Sequence, residues 1–180
     1  MNVALKMKFS ESGVLLILQA LAEHNAALMR SQPELPLLYD SCVVYKPEDD
    51  ETFSDYPSML QAMREDCDSL AAARAGELMA RGWKALRPGE GGYETARRLK
   101  PASIPAQVLL TTRTRPGEQG LYHCITRYWV NGQQFQDDPS ARLGMNNRPV
   151  DPSIARSCHL VNLQQPDFRW LTVPARSNHA

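Results

Sequence analysis

The stretch Asp66-Cys67-Asp68-Ser69-Leu70-Ala71-Ala72-Ala73-Arg74-Ala75-Gly76-Glu77-Leu78 decides how the chain is read. Leu70, Ala71, Arg74, Leu78 and Met79 recur at helical spacing, small residues fill the gaps, and Gly82 stands just past the end as a stop. The pattern is one helix with a cysteine in its first turn. A thiol there faces the free backbone N–H groups and the positive end of the helix dipole, and both favour the thiolate. Asp66 and Asp68 flank it and act the other way, raising a thiol pKa wherever their carboxylates lie close. Taken alone, the stretch reads more simply as a buried structural cysteine with Asp66 as the N-cap.

Two downstream stretches change that reading. Leu121 to Trp129 is rich in β-branched and aromatic residues and reads as a strand, and Asn131-Gly132 after it is a hairpin signal. The partner strand, Gln133 to Gln136, runs into Asp137-Asp138-Pro139-Ser140. His123 and Asp138 are 15 residues apart, enough chain to go up, turn and come back alongside. Cysteine on a helix, with histidine and aspartate on adjacent strands, is what a thiol acyl-transfer site needs: a base that reaches the sulfur and a third group that orients the base.

Cysteine, then histidine on a strand, then aspartate followed by Pro-Ser resembles the order found in the transglutaminase-like superfamily, whose core is papain-like. More closely, the chain resembles small transglutaminase-like proteins encoded by tailed phages and prophages. The matching stretches are Leu21-Ala22-Glu23-His24-Asn25, Pro36 to Ser41, Asp66 to Leu78, Tyr122-His123 and Asp138 to Met145, within about residues 15 to 145. Their combination is what is specific. The resemblance implies an α+β, papain-like core in which the nucleophile-position helix packs on an antiparallel sheet, with an N-terminal helix and a C-terminal extended arm.

Carried over by position, the resemblance makes Cys67 the nucleophile, His123 the base and Asp138 the orienting acid. Asp137 is the alternative acid, set second because the Pro139-Ser140 that follows fixes the register. The chain also departs from the pattern. Glu65 stands where a glycine is usual, Met63 and Arg64 occupy what is often a glycine-containing turn, and Ala73 replaces a tryptophan. Glycine lets backbone approach a substrate closely, so Glu65 is expected to narrow the cleft or repel acidic substrates.

Composition sets bounds around this. At 180 residues the chain is one domain with a proper core, read as residues 1–145 followed by a proline-rich arm, 146–180. Lysine and arginine number 20 and aspartate and glutamate 20, so no global charge draws the protein to nucleic acid or to an anionic membrane. Cys42, Cys67, Cys124 and Cys158 lack metal-ligand spacing, and no cofactor or metal is expected. They read as reduced thiols, with Cys42, Cys124 and Cys158 packing rather than reacting.

In chain order, a helix is expected from about Ser12 to Arg30, capped by Ser10 or Ser12. Leu15, Leu18, Leu21, Ala22, Leu28 and Met29 form its apolar face. The apolar run Val14 to Leu18 faintly resembles a signal peptide, but Glu11 and Gln19 interrupt it, and it is too short to span a membrane. His24 reads as a surface or boundary residue. Pro33 and Pro36 end the helix, and Leu37 to Tyr39 and Cys42 to Tyr45 read as extended. Pro47 to Glu51 is an acidic turn, and Phe53 to Arg64 carries a short helix with Met59, Leu60 and Met63. Trp83 to Leu86 is expected as the first strand of the sheet, followed by a long excursion, Arg87 to Pro105, with a small helix at Tyr93 to Leu99. Gln107 to Arg113 is the next strand and Arg115 to Gly120 a turn. Within the arm, His159 to Val161 and Trp170 to Val173 read as short strands. Phe168, Trp170 and Leu171 should dock on the domain or on a neighbouring subunit.

Two functions stand open on the sequence. One is a cysteine acyl-transfer enzyme, a peptidase or amidase if water is the acceptor and a cross-linking transglutaminase if it is an amine. The other is a structural component of a tailed-phage particle that uses the fold as a scaffold. Both imply protein partners, either phage structural proteins or a peptide substrate, with the arm as a means of oligomerisation. Both imply a location in the bacterial host cytoplasm during assembly or in the virion.

Overall fold

Ser10 opens the first helix, α1 (Glu11–Ser31), and its hydroxyl accepts from the Gly13 N–H. The computed structural model describes residues 10–47, 52–112 and 122–154. After α1 come β1 (Val44–Tyr45), α2 (Tyr56–Ala62), β2 (Arg64–Glu65) and α3 (Cys67–Arg81). Then follow α4 (Tyr93–Leu99), β3 (Ala106–Thr112), β4 (Tyr122–Val130), β5 (Gln133–Asp137) and a single turn, α5 (Pro139–Arg142). The class is mixed α+β. The main sheet is antiparallel in the order β3-β4-β5, and β1 and β2 form a separate two-residue parallel pair.

Helix α3 is the middle of the molecule, buried continuously from Asp68 to Leu78. Small residues let α3 be covered on every side, and its buried charges, Asp68, Arg74 and Glu77, are met by partners. Ala71, Ala72, Ala75 and Leu78 belong to a core shared with Leu18 and Ala22 of α1 and with Val108, Cys124, Tyr128 and Val130 of the sheet. On the other side, Leu70 and Ala73 join Met29, Leu38, Tyr39, Tyr56, Met59, Leu143 and Ile154. The described start of the arm is therefore packed: Ile154 is buried, and the Asp151 N–H donates to the Arg142 carbonyl at 2.9 Å.

By length and composition α1 could cross a bilayer. Its Leu18, Ala22, Ala26 and Met29 are instead spent inside the protein. Asn25, also buried, accepts from the Tyr56 N–H at 2.8 Å and ties the start of α2 to α1. His24 lies half-exposed on the same helix, 3.8 Å from Asp55.

The Asn131-Gly132 turn forms with positive φ at both residues, 49° and 77°, the backbone a two-residue hairpin requires. It sets the register Val130↔Gln133 through Thr126↔Asp137.

Two expected extended segments are not strands. Residues Gly82–Ala85 form a 3-10 turn, so the sheet does not begin at Trp83. Its polar groups are drawn elsewhere: the Trp83 N–H donates to the Pro101 carbonyl at 3.0 Å, and the Ala85 carbonyl accepts from the Arg74 guanidinium at 2.8 Å. Leu38–Asp40 is likewise a 3-10 turn, because the Leu38 N–H donates to Glu77 at 2.6 Å and its carbonyl accepts from Ser41. The segment read with the short helix as far as Arg64 leaves it earlier: α2 ends at Ala62, and Arg64 and Glu65 pair with Val44 and Tyr45. The strands expected at His159 to Val161 and Trp170 to Val173, the docking of Phe168, Trp170 and Leu171, and the turn Arg115 to Gly120 lie outside the described residues, as does most of the acidic turn.

Gly76 is where α1 and α3 come closest. A Cβ there would stand 2.7 Å from the Ala22 carbonyl oxygen and 2.8 Å from Asn25 Cβ, and the former is backbone that cannot swing aside. Gly76→Ala should therefore push the helices apart and destabilise the fold by about 1–3 kcal/mol, despite alanine's better helix propensity. Urea unfolding measures it; a stabilised variant would mean that the helix pair is not close-packed.

Candidate active site

Cys67 is the first residue of α3. The chain before it is fixed by the β1–β2 pair, with the Lys46 N–H donating to the Glu65 carbonyl at 2.9 Å. Glu65 is buried, and its carboxylate accepts from the Asp66 N–H at 3.2 Å. The Glu65 carboxylate is thus turned onto the local backbone. Met63, in the same turn, takes φ 57°, a left-handed conformation that glycine adopts more readily.

His123 lies on the central strand, 5 % exposed, and Thr111 donates to its carbonyl at 2.9 Å. Alternation along the hairpin separates the two aspartates. Asp137 pairs with Thr126 and shares its face, so Asp138 falls on the face of Ile125 and His123. The His123 Nε2 and Asp138 Oδ2 atoms are 2.8 Å apart. The other oxygen, Oδ1, accepts from the Ala141 N–H at 3.0 Å and caps α5. Asp137 is committed elsewhere: its Oδ2 accepts from the Tyr39 hydroxyl at 2.7 Å and from Arg74 Nε at 2.8 Å.

The Cys67 thiol completes the cluster: it packs against the core that holds Cys124, and Cys124 and His123 are the neighbours that act on its charge. Its pKa falls to about 4, chiefly through the Cys124 thiol, against the opposing effect of burial, with the His123 imidazole adding to the shift. His123 moves the other way, to about 9. Burial disfavours its cation, and the hydrogen bonds and charges of Asp138 and Cys67 outweigh that. Between these limits the pair is thiolate and imidazolium, the ionised form of an activated cysteine.

The flanking aspartates do not undo this. Burial, then the neighbouring Asp66 carboxyl, raises the Asp68 pKa far above the carboxylate range. Asp68 therefore keeps its proton at neutral pH, shares it with Asp66, and accepts from the Ser69 N–H. The electrostatic conflict falls on a carboxyl group, and the thiol is spared it.

Behind the cluster lies a charged network that sequence reasoning did not find. Arg74, 0 % exposed, pairs with Glu77, with Glu90 at 2.7 Å and with Asp137 at 2.8 Å. Arg142 pairs with Glu90 and stands 3.6 Å from Asp137. The Tyr39 ring lies against three guanidiniums, Arg74 at 4.7 Å, Arg87 at 5.5 Å and Arg142 at 4.4 Å. A lone glutamate inside Gly89-Glu90-Gly91-Gly92 was the available signal. The glycines let that loop lie on β5, where a Cβ on Gly91 would meet the Phe135 ring at 2.4 Å. Among the described residues no group of three histidine, cysteine or acidic side chains could hold a metal ion.

The chain matches no family model, and no curated protein or solved structure shows significant similarity to it.

Because Arg74 is fully enclosed among carboxylates, removing its charge leaves them buried without compensation. Arg74→Met should destabilise the protein by about 3–5 kcal/mol. Chemical denaturation checks this, and a change below about 1 kcal/mol would mean that the network is incidental.

Proposed function

We propose that the protein is a transglutaminase-like cysteine acyl-transfer protein with a papain-like core. The observation that carries this reading is the chain of contacts from Cys67 at a helix N-terminus, through His123, to Asp138. Fold-level support is the antiparallel sheet packed against the cysteine helix, and the resemblance of residues 15 to 145 supplies the rest. Cys67, already a thiolate, attacks an amide or ester carbonyl, forming a C–S bond. The oxyanion is held by backbone N–H groups in the first turn of α3. His123 imidazolium gives its proton to the leaving nitrogen or oxygen as that bond breaks, and a thioester remains. Asp138 accepts from Nε2 and so keeps Nδ1 for the sulfur side. Water or an amine, deprotonated by His123, then attacks the thioester and releases Cys67. Water makes the protein a peptidase or amidase, and an amine makes it a cross-linking enzyme.

The same resemblance supports a setting in tailed-phage assembly, in the host cytoplasm or in the virion, with phage structural proteins or a peptide as partner. A second reading, a virion scaffold that retains the cluster without turnover, is favoured by the near-complete burial of His123 and Cys124.

The ionised pair exists only where Cys67 has lost its proton and His123 has kept one. Activity should rise through pH of about 4 and fall through about 9, a bell bounded by the two shifted pKa values. The test is the rate of Cys67 alkylation by iodoacetamide across pH, read site by site by mass spectrometry. The wild-type protein should react as a thiolate at neutral pH, and His123→Ala should move the midpoint up toward the ordinary thiol value of about 8.5. A wild-type midpoint near that ordinary value sinks the enzyme reading and leaves the scaffold.

The aspartates separate by the same logic. Asp138→Asn keeps an α5 cap, since asparagine caps as well as aspartate. It should lower the melting temperature less than Asp137→Asn does, while slowing acyl transfer by on the order of a hundredfold or more. Asp137→Asn should do the reverse, lowering stability through Arg74 with a smaller effect on the thiol. Melting curves and turnover of an activated ester distinguish the two, and equal effects would contradict the assignment.

A further inference from the structure

We infer that Cys124 is a positioning residue of this site, whose S–H donates to the Cys67 sulfur and holds it as thiolate beside the His123 cation. The inference rests on the acyl-transfer reading and adds a residue to it. Cys124 is 3 % exposed and sits in the core cluster against which Cys67 packs.

Geometry brings the two sulfurs together. Thr126 donates through its hydroxyl to the Ala71 carbonyl at 2.9 Å, which pins one face of β4 to α3. Cys124 is on that face, two residues before Thr126, or about 7 Å along the strand. Cys67 is four residues before Ala71, or about 6 Å along the helix. The nearly equal intervals, counted from one fixed hydrogen bond, fit the shared core cluster and the mutual electrostatic influence of the two thiols.

The groups around Cys67 are few enough to assign. On its own helix stand Asp66 and Asp68, which share a proton. From β4 come His123 and Cys124, and from beyond β5 comes Asp138, which acts through His123. His123 supplies the positive charge. Cys124 stays protonated, because the neighbouring Cys67 sulfur and burial both push its own pKa up. It can thus donate to a thiolate without competing for the negative charge, as one thiol does for its neighbour in dithiol redox motifs. An aliphatic side chain would fill the same space but give the sulfur no second donor.

The experiment uses the full chain under reducing conditions and compares the wild type with Cys124→Ser, Cys124→Ala and Cys124→Val. Site-resolved iodoacetamide labelling of Cys67 and thiolate absorbance at about 240 nm, each across pH, give the midpoint. Cys124→Ala and Cys124→Val remove the donor, and each should raise the midpoint by at least about one pH unit, a tenfold or greater loss of thiolate on the acid side. Cys124→Ser keeps a donor and should stay within about half a unit of wild type. The serine variant guards against a purely structural effect, which would shift all three alike. A low wild-type midpoint that is unchanged in Cys124→Ala, or a serine variant shifted as far as alanine, overturns the role of Cys124 and leaves the acyl-transfer reading standing. An ordinary wild-type midpoint overturns both.

Discussion

The Arg74 guanidinium, enclosed in the protein and surrounded by Glu77, Glu90 and Asp137, is the interaction on which the rest of the structure depends. A buried cation needs compensation from several directions, and each compensating group belongs to a different segment. Glu77 also accepts from the Leu38 N–H, which holds the turn after α1. Glu90 accepts from the Arg87 N–H and pairs with Arg142. Asp137 ends β5, and the Ala85 carbonyl comes from the turn after α3. One side chain thus ties together the turn after α1, the turn after α3, the Glu90 loop and the end of β5.

The same helix has two duties. Its first residue is Cys67, and two turns later Arg74 fixes Asp137, the residue immediately before Asp138. Cys67 and Asp138, the proposed nucleophile and orienting acid, are therefore referenced to one rigid element, although they lie 71 residues apart in the chain. Tyr39 joins in from a third segment, donating to Asp137 while its ring lies against the guanidiniums. Preorganisation of this kind, with supporting groups satisfied before any substrate arrives, is what acyl transfer requires of its scaffold.

Local signals made much of this legible. Ser10 capping α1, the alanine-rich run of α3 and Asn131-Gly132 with its flanking strands each specify their conformation within a few residues. Pro139-Ser140, through the resemblance, put Asp138 ahead of Asp137, and the register of β5 places the two on opposite faces. What stayed hidden was non-local. Trp83 to Leu86 has the apolar look of a strand, but its carbonyl goes to a guanidinium eleven residues away. Arg74 looked like one more residue at helical spacing, because nothing in a sequence marks which side of an evenly small helix will be charged. Cys124 was read as a packing thiol, for want of metal-ligand spacing, yet it and His123, neighbours on one strand, both act on the Cys67 sulfur.

Asp138 divides its two oxygens between unrelated tasks, one on the His123 ring and one on the backbone of α5. The consequence is a loss of sequence freedom. Asparagine satisfies the backbone but brings no charge to the ring, and glutamate brings the charge on a side chain one methylene too long for the cap. A drifting sequence could change either requirement alone with a small compensating step elsewhere, but not both at one residue. The position is thereby closed to gradual replacement, and whatever this fold becomes in other hands, it must abandon the carboxylate in a single move or keep it.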